Sequence, residues 1–365
     1  MESTHGAGVE RNAKSKLRTS TFARRLLVEW RRLGLPLSGA RVLMATSGGA
    51  DSMALLLGVI ELIEAHQLRV EVTVAHLDHG LRGEQGAEDA QWVAEQSAAF
   101  GCVVEIGFAD VRRRASEGDN LEQAARRARY EFLRATAEKH RACCVLTGHT
   151  MDDQAETLLL RLMRGSGTEG LGGIRPVRIL ETSSDVRLAR PLLTWAQRAD
   201  TEDYCRARGV AFRSDAMNEN EAFARVRVRR KLIPLMKTFN PRIIETLART
   251  AGILREDGEA LRATVSALMI NAEKSDVWGS DVQETITGSL LRVDAFIGAS
   301  RALRRNALRQ WLERERGDLR RLEAKHIAAV EKLLEDGRGG RVVELPGGGR
   351  VERRGKSLRF FRQEG

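Results

Sequence analysis

The stretch Arg41–Leu57, RVLMATSGGADSMALLL, decides the fold of this chain. It opens with a β-prone run, Arg41–Thr46, and ends in an apolar run at the start of a helical pattern. Between the two, Ser47–Ser52 holds consecutive glycines, which let the backbone adopt positive φ and approach a ligand closely. The order of strand, glycine turn and helix therefore predicts an anion-binding loop at a helix N-terminus.

The side chains of this loop also suit a phosphate group. Ser47 and Ser52 can donate hydroxyls to phosphate oxygens, whereas Asp51 would be repelled and is interpreted as a ligand of Mg²⁺ bridging the phosphates. A capped turn without a ligand is the alternative interpretation of the same residues. No Walker-type GxxxxGK[ST] occurs. The predicted phosphate-binding residues are Ser47, Gly48, Gly49, Ala50, Asp51 and Ser52.

On both sides of the loop, short strands alternate with helical stretches. The other predicted strands are Val70–His76, Cys102–Phe108, Ala142–Thr147 and Val210–Arg213. The predicted helices are Phe22–Leu33, Met53–His66, Glu88–Phe100, Leu121–His140, Asp152–Met163 and Trp195–Arg208. This alternation predicts an α/β domain with a parallel sheet covered on both faces.

After Pro241 the pattern changes to helical spacing over Arg242–Met269 and Arg301–Leu334. A Gly-rich, basic segment follows, in which Val342–Leu345 and Leu358–Phe361 bracket a β-hairpin-like arrangement. We therefore expect a mainly helical domain and a small basic β-rich tail after the α/β domain. The predicted divisions are a flexible tail at 1–20, a catalytic domain at 21–238, a helical domain at 239–337 and a β element at 338–365.

Composition favours a polyanionic partner. The 365 residues carry a net charge of +10 with a pI near 9.9, a balance that suits nucleic acid. Four cysteines form no CxxC pair, which predicts a reducing compartment without a disulfide or zinc scaffold. The longest uncharged apolar stretch, Ser52–Ile60, is about half the length of a bilayer crossing, and residues 1–20 contain no apolar leader. These features predict a cytoplasmic protein without a membrane partner.

Three further segments narrow the function: His76–Arg82 (HLDHGLR), Asn120–Tyr130 (NLEQAARRARY) and His149–Thr157 (HTMDDQAET). Together with Arg164–Gly167 and Arg190–Leu193, they resemble the tRNA(Ile)-lysidine synthetases of the PP-loop ATP pyrophosphatase superfamily. The resemblance runs from about residue 40 to residue 241, with the motifs in the family's order.

This resemblance implies that Ser47–Ser52 holds the pyrophosphate of ATP, with Mg²⁺. It implies that an AMP group activates C2 of the wobble cytidine in tRNA(Ile) with a CAU anticodon. The amine of free L-lysine then replaces AMP. Family members are often dimers, so a homodimer is a candidate assembly.

The resemblance also assigns site residues. Asp153 and Glu156 lie three apart on a predicted helix and share a face, so they could hold ammonium groups. In isolation they would also fit an acidic helix start, but the family assigns both to the lysine site. It assigns Arg126 to ATP or the adenylated intermediate, and Asp153 is the candidate acceptor of the amine proton. The predicted active-site rim comprises His79, Arg82, Arg129 and His149.

The run Arg225–Lys231 packs five positive charges into seven residues. A solvated helix face would need no partner, but the family places its equivalent segment at the nucleic-acid side of the catalytic domain. Val226 stands where the family usually has Asn. The predicted tRNA-binding residues are Arg225, Arg227, Arg229, Arg230 and Lys231.

Other functions stay open at this stage. A PP-loop tRNA thiolase would typically carry catalytic or cluster-binding cysteines, whereas Cys143 and Cys144 are interpreted as strand-core residues. A glutamine-dependent amidotransferase would need a glutaminase domain, and none is expected before the loop. A non-catalytic RNA-binding protein could keep an inert loop and bind through its basic segments.

Overall fold

The computed structural model describes residues 19–115, 121–181, 184–213, 223–273, 290–319, 321–335 and 340–362. The chain forms two compact units, Met1–Ile253 and Leu254–Gly365. Residues 1–18 of the predicted tail and Asn120 of the second motif lie outside the described residues. The domain limits expected near residues 238 and 337 stay predictions.

A six-stranded sheet forms the centre of the first unit. Its strands are β1 (Ser38–Ala45), β2 (Arg69–Asp78), β3 (Val103–Phe108), β4 (Cys144–Thr147), β5 (Val177–Ile179) and β6 (Arg187–Ala189). They lie in the order β3-β2-β1-β4-β6-β5, and β5 alone runs antiparallel to its neighbour in this sheet. The predicted α/β domain with a largely parallel sheet is confirmed.

The helices up to residue 273 follow in chain order, and the last of them includes the boundary between the two units after Ile253. They are α1 (Thr21–Arg32), α2 (Ala50–Glu64), α3 (Glu84–Ala99), α4 (Val111–Ala115), α5 (Leu121–Lys139), α6 (Met151–Met163), α7 (Thr168–Leu171), α8 (Arg198–Ala207), α9 (Ala224–Arg227), a π-helical turn (Val228–Leu232), α10 (Ile233–Phe239) and α11 (Ile243–Glu273). The hydroxyl of Ser20 caps α1 by accepting from the Ala23 N–H, which satisfies a donor left open by the helix start.

Successive residues of β1 face opposite sides of the sheet, as the two-residue period of a strand requires. Val42 and Met44 are buried in the cluster that contains Leu56 of α2, whereas Leu43 is buried with Leu133 of α5. Both faces of β1 are therefore covered, which explains its nearly continuous apolar sequence.

The carboxyl ends of β1 and β4 meet at the point where the strand order reverses. From β1 the chain crosses to β2 and β3 on one side, and it then returns to β4 on the other side of β1. Ala45 and Thr147, the last residues of β1 and β4, lie opposite each other. Ligands of open α/β sheets bind in the crevice at such a switch point.

The first unit departs from the sequence-based expectations at two places. The predicted strand Val210–Arg213 is wrong, because these residues form no strand. The Arg213 N–H instead donates to the carbonyl of Gly48, so this segment is docked on the loop after β1. The short strands β5 and β6 were not predicted.

The second unit contains an antiparallel sheet and two further helices. Its elements are β7 (Leu290–Arg292), a 3₁₀ turn (Asp294–Phe296), α12 (Arg301–Arg316), α13 (Ala324–Glu335), β8 (Val342–Glu344), β9 (Gly349–Arg354) and β10 (Ser357–Arg362). Trp311, Val330 and Leu358 are fully buried in its core.

The C-terminal β element is confirmed, with a correction. Its strands lie in the order β7-β10-β9-β8, so β9 separates the two segments that were expected to bracket a hairpin. The predicted helix Arg301–Leu334 is two helices, because Gly317 ends α12 in the left-handed conformation at φ +84°. Within the described residues, no helix is long and apolar enough to span a membrane.

Candidate active site

The loop after β1 folds as the glycine pattern predicts. Gly48 adopts φ +82°, and Gly49 is the N-cap of α2. The Ser52 hydroxyl donates to the Gly49 carbonyl at 2.9 Å, and the Ser47 N–H donates to the Ser52 hydroxyl at 3.2 Å. The two serine side chains are thus fixed at the helix N-terminus, where the helix dipole favours an anion.

Gly148, directly after β4, lets a second loop approach the first. A methyl group at Gly148 would lie 2.7 Å from the carbonyl oxygen of Asp51 and 2.8 Å from the backbone nitrogen of Ser52. Such distances require the backbone to move, so glycine is needed here for close packing. No pattern in the sequence singles out this position.

One cavity of about 350 Å³ lies at the carboxyl ends of β1, β2 and β4. It brings together residues that the sequence places far apart. The predicted residues that line it are Ser47, Asp51, Ser52, His79, Arg82, Arg126, Arg129, His149 and Asp153. Apolar side chains, among them Leu77, Phe132 and Leu133, line the same cavity. A space with a phosphate loop, apolar walls and arginines has the chemistry of a nucleotide site.

Asp51 lies in the first turn of α2, and two residues of α8 contact its carboxylate. The Thr201 hydroxyl donates to Asp51 Oδ1, and Arg198 Nε lies 3.7 Å from Asp51 Oδ2. Burial raises the pKa of Asp51 to about 6, although Thr201 and Arg198 act in the opposite direction. The carboxylate is therefore destabilised until a further cation approaches it.

Asp153 and Glu156 lie side by side on α6, as their spacing predicts. Asp153 Oδ2 accepts from the Thr150 N–H at 2.8 Å and closes a capping box. Arg225 donates to both carboxylates, from Nη2 to Asp153 at 2.9 Å and from Nε to Glu156 at 2.7 Å. Arg229 Nε donates to the fully buried Glu156 at 2.7 Å.

The lowered pKa of Asp153 reflects these neighbours. Burial would raise it, but the charges of Arg225 and Arg198, with the hydrogen bond from the Thr150 N–H, outweigh burial and lower it. Asp153 is thus an ionised carboxylate suited to binding a cation.

Two arginines of α5, Arg126 and Arg129, also line the cavity. Arg129 Nη2 lies 3.2 Å from Nε2 of His79. The guanidinium of Arg126 lies over the Tyr130 ring at 4.9 Å, and that of Arg178 lies over the same ring at 4.8 Å. Arginines held by an aromatic ring keep their charge available to an anion.

His149 follows β4 and faces the cavity. Its Nδ1 lies 2.9 Å from the Thr147 hydroxyl. Desolvation lowers the pKa of His149 to about 4, with Asp153 acting in the opposite direction. The imidazole is therefore neutral near pH 7 and serves as a hydrogen-bonding group.

Arg82, at the edge of the cavity, binds Asp89 of α3 at 2.7 Å. Asp89 also lies 3.5 Å from Arg213. The Arg213 guanidinium lies 5.4 Å from the ring centre of Trp92. Asp89 thereby connects the predicted rim to the segment docked on Gly48.

The structure divides the basic run between two surfaces. Arg225 and Arg229 face the carboxylates of α6, whereas Arg227 and Lys231 line a separate, mainly apolar groove of about 490 Å³. Leu160, Met163, Arg164, Ala224, Val228, Leu232 and Leu235 complete the groove. Arg230 lies in the π-helical turn and lines neither space.

Residues with a place in this site that were not predicted include Gly148, Asp89, Arg198 and Thr201. Arg198 and Thr201 lie on α8, distant in sequence from the loop whose aspartate they contact. The four cysteines are free thiols. Cys144 is a buried strand residue as interpreted, but Cys143 is exposed and precedes β4, so its interpretation as a core residue is wrong. Within the part of the chain that the structure describes, no three His, Cys, Asp or Glu side chains are grouped as metal ligands.

Comparison with known proteins adds two family matches. Residues 19–236 match the model of the PP-loop domain, and residues 291–363 match the model of the TilS substrate binding domain. Among solved structures, the U34-tRNA thiolase NcsA from Methanococcus maripaludis, described with its [4Fe-4S] cluster, has a similar fold. It has a TM-score of 0.53 at 13% identity and covers 64% of this chain and 80% of that one.

Curated relatives are similar over most of the chain. A tRNA(Ile)-lysidine synthase of Thermobifida fusca is 35% identical over 87% of this chain and 90% of its own length. That of Rhodococcus erythropolis is 37% identical over 84% of each. That of Dehalococcoides mccartyi is 36% identical over 87% of this chain. The chain spans 59–65% of the length of that relative and of two other longer ones.

Proposed function

Because this chain belongs to the tRNA(Ile)-lysidine synthase family, we propose that it attaches free L-lysine to C2 of the wobble cytidine of tRNA(Ile) with a CAU anticodon, using ATP. One observation carries the proposal: the phosphate loop and Asp153 line the same cavity. An anion site beside a cation-binding carboxylate suits a reaction that joins an amine to a base activated by a phosphate ester.

In the first step, the C2 oxygen of the cytidine attacks the α-phosphorus of ATP. The bond between that phosphorus and the bridging oxygen breaks, and pyrophosphate leaves. The hydroxyls of Ser47 and Ser52 would hold the departing pyrophosphate, and Arg126, which lines the same cavity, would contact the nucleotide. The apolar side chains of the cavity suit the adenine ring.

Asp51 is the residue that would hold Mg²⁺. Its carboxylate lies at the phosphate loop and has a pKa raised by burial to about 6, so an added cation would stabilise its ionised form. A phosphate-bound Mg²⁺ needs only one or two protein carboxylates, which fits this donor set. When bound, the ion would neutralise charge on pyrophosphate.

In the second step, the ε-ammonium of lysine loses a proton to solvent, and the resulting amine attacks C2. The bond between C2 and its oxygen breaks, AMP leaves, and the new C–N bond is completed as the attacking nitrogen releases a second proton to solvent. Asp153 and Glu156 would bind the ammonium groups of lysine and orient the attacking amine. The lowered pKa of Asp153 favours this positioning role over acceptance of the amine proton.

The groove lined by Arg227 and Lys231 is the surface that we assign to the anticodon loop. An apolar floor beside cationic side chains suits an unstacked base with its phosphate. The groove and the acidic face are carried by the same helix, because Leu160, which lines the groove, lies one turn beyond Glu156 on α6.

The test is incorporation of labelled lysine into an unmodified tRNA(Ile) transcript with the CAU anticodon, in the presence of ATP and Mg²⁺. We expect one AMP and one pyrophosphate for each lysine incorporated. A transcript with a GAU anticodon is the matched control, because it lacks the wobble cytidine. Failure to label the CAU transcript would contradict the proposal.

A further inference from the structure

Arg198 lies between the phosphate loop and the carboxylates assigned to lysine. Its Nε is 3.7 Å from Oδ2 of Asp51. Its Nη2 is 3.8 Å from Asp153 Oδ1 and 3.6 Å from Glu156 Oε1. The backbone N–H of Arg198 donates to Asp152 at 2.8 Å, which anchors the start of α8 beside α6.

The contacts of Arg198 are looser than those of the other two guanidiniums at this site. Arg225 and Arg229 each donate to Glu156 at 2.7 Å, within hydrogen-bond distance. The distances from Arg198 to the same carboxylates exceed that limit, so its attraction there is ionic and weakly directional. Arg198 is therefore the guanidinium that an incoming ammonium group displaces most easily.

Resting on the proposed function, we propose that Arg198 is a positioning residue that couples nucleotide binding to lysine binding. When a triphosphate occupies the Ser47–Ser52 loop, its negative charge draws the Arg198 guanidinium toward the loop. Asp153 and Glu156 then face one cation fewer, so the ammonium groups of lysine meet less repulsion.

The Arg198 side chain is exposed enough to move and long enough to contact either the phosphate loop or the carboxylates of α6. It is 24% exposed, and it is already within 4 Å of carboxylates at both ends of its path. Thr201, one turn further along α8, contacts Asp51, so the helix that carries Arg198 is fixed against the loop while the guanidinium moves. Coupling of this kind is reciprocal: each ligand tightens the binding of the other by the same factor.

The experiment is calorimetric titration of L-lysine into the full chain, with and without Mg²⁺ and α,β-methylene ATP, whose α–β bridge cannot be cleaved. For the unaltered protein we expect the analogue to tighten lysine binding about tenfold. In Arg198→Met the two lysine affinities should agree within about twofold, and lysine should bind more tightly without the analogue than it does to the unaltered protein. Arg206→Met is the matched control, because Arg206 lies on the same helix but pairs with the surface residues Glu202 and Asp203.

Tenfold coupling that persists in Arg198→Met would overturn the inference. So would independent binding of lysine and the analogue to the unaltered protein, an outcome that leaves the proposed function intact. Absence of lysine binding under both conditions would count against the inference and the proposed function together. Circular dichroism checks folding, and Arg198→Gln, which removes the charge but keeps a donor, replaces the methionine variant if that variant unfolds.

Discussion

The guanidinium of Arg225 donates from Nε to the fully buried carboxylate of Glu156 at 2.7 Å. This contact joins α9 to α6, so Arg225 and the acidic face of α6 form one site. A residue expected to contact tRNA thereby lies against a carboxylate expected to contact lysine. Under the proposed function, lysine binding and the placement of the RNA would depend on the same pair of helices.

Glu156→Gln should separate the two chemical steps. The amide keeps the shape but removes the charge that balances Arg225 and Arg229, and a buried cation left without its partner is costly. We expect lysine incorporation at subsaturating lysine to fall at least about 100-fold. Pyrophosphate release without lysine should fall much less. Both are measured with labelled ATP and tRNA.

Glu64→Gln, at an exposed position at the end of α2, is the control for the Glu156 variant. Equal losses in the two steps would refute the assignment of Glu156 to the lysine site.

Gly148→Ala should disturb the phosphate loop, although Gly148 itself belongs to the loop after β4. The added methyl group would lie 2.7 Å from the carbonyl oxygen of Asp51, and overpacking of this kind costs about 1–3 kcal/mol. We expect lower thermal stability and weaker binding of an ATP analogue, measured by calorimetry. Gly167→Ala is the matched control, because a methyl group there meets nothing within 4 Å. Unchanged analogue affinity in Gly148→Ala would show that the close approach has no role in binding.

His149 should make the fold sensitive to acid. The folded pKa of His149 is lowered to about 4 from the usual 6.5, so the unfolded chain binds more protons between these values. The free energy of unfolding must therefore fall as pH falls from 6.5 to 4, by up to about 3 kcal/mol from this group. Urea unfolding across this range should show a flatter pH dependence in His149→Gln. His66→Asn, at an exposed histidine, should keep the full slope, and parallel slopes in all three proteins would contradict the prediction.

Lys231→Ala should weaken tRNA binding without affecting the nucleotide. Loss of one phosphate contact reduces the dependence of log affinity on log salt by about 1. Filter binding of the CAU transcript at several salt concentrations measures this slope. Lys139→Ala removes an equally exposed lysine that pairs with Glu105 and should leave the slope unchanged. An unchanged slope in Lys231→Ala would place the RNA on another surface.

Features set by local sequence were predictable. The loop at Gly48 and Gly49, the shared face of Asp153 and Glu156, and the central strands each follow from spacing over a few residues. The strands β5 and β6 are three residues each, too short for periodicity to reveal. Val210–Arg213 has a strand-like sequence, but its backbone binds Gly48 in the folded chain instead of joining the sheet.

The part of the site that was missed depends on tertiary contacts. Thr201 and Arg198 follow an ordinary helix start, and only the packing of α8 against α2 brings them to Asp51. Gly148 is a single residue whose role appears when β1 and β4 become neighbours. Arg225 likewise contacts Asp153 and Glu156 only because α9 packs against α6. The spacing of the basic run carries no information about this packing.

The mass of the wobble nucleoside tests the central claim most directly. The CAU transcript is incubated with the protein and ATP, first without lysine and then with it, and position 34 is analysed after digestion. We predict a cytidine carrying AMP before lysine is added. After addition, we predict a cytidine heavier by one lysine less one water. An unmodified cytidine at both stages, or a sulfur-containing base, would contradict the account.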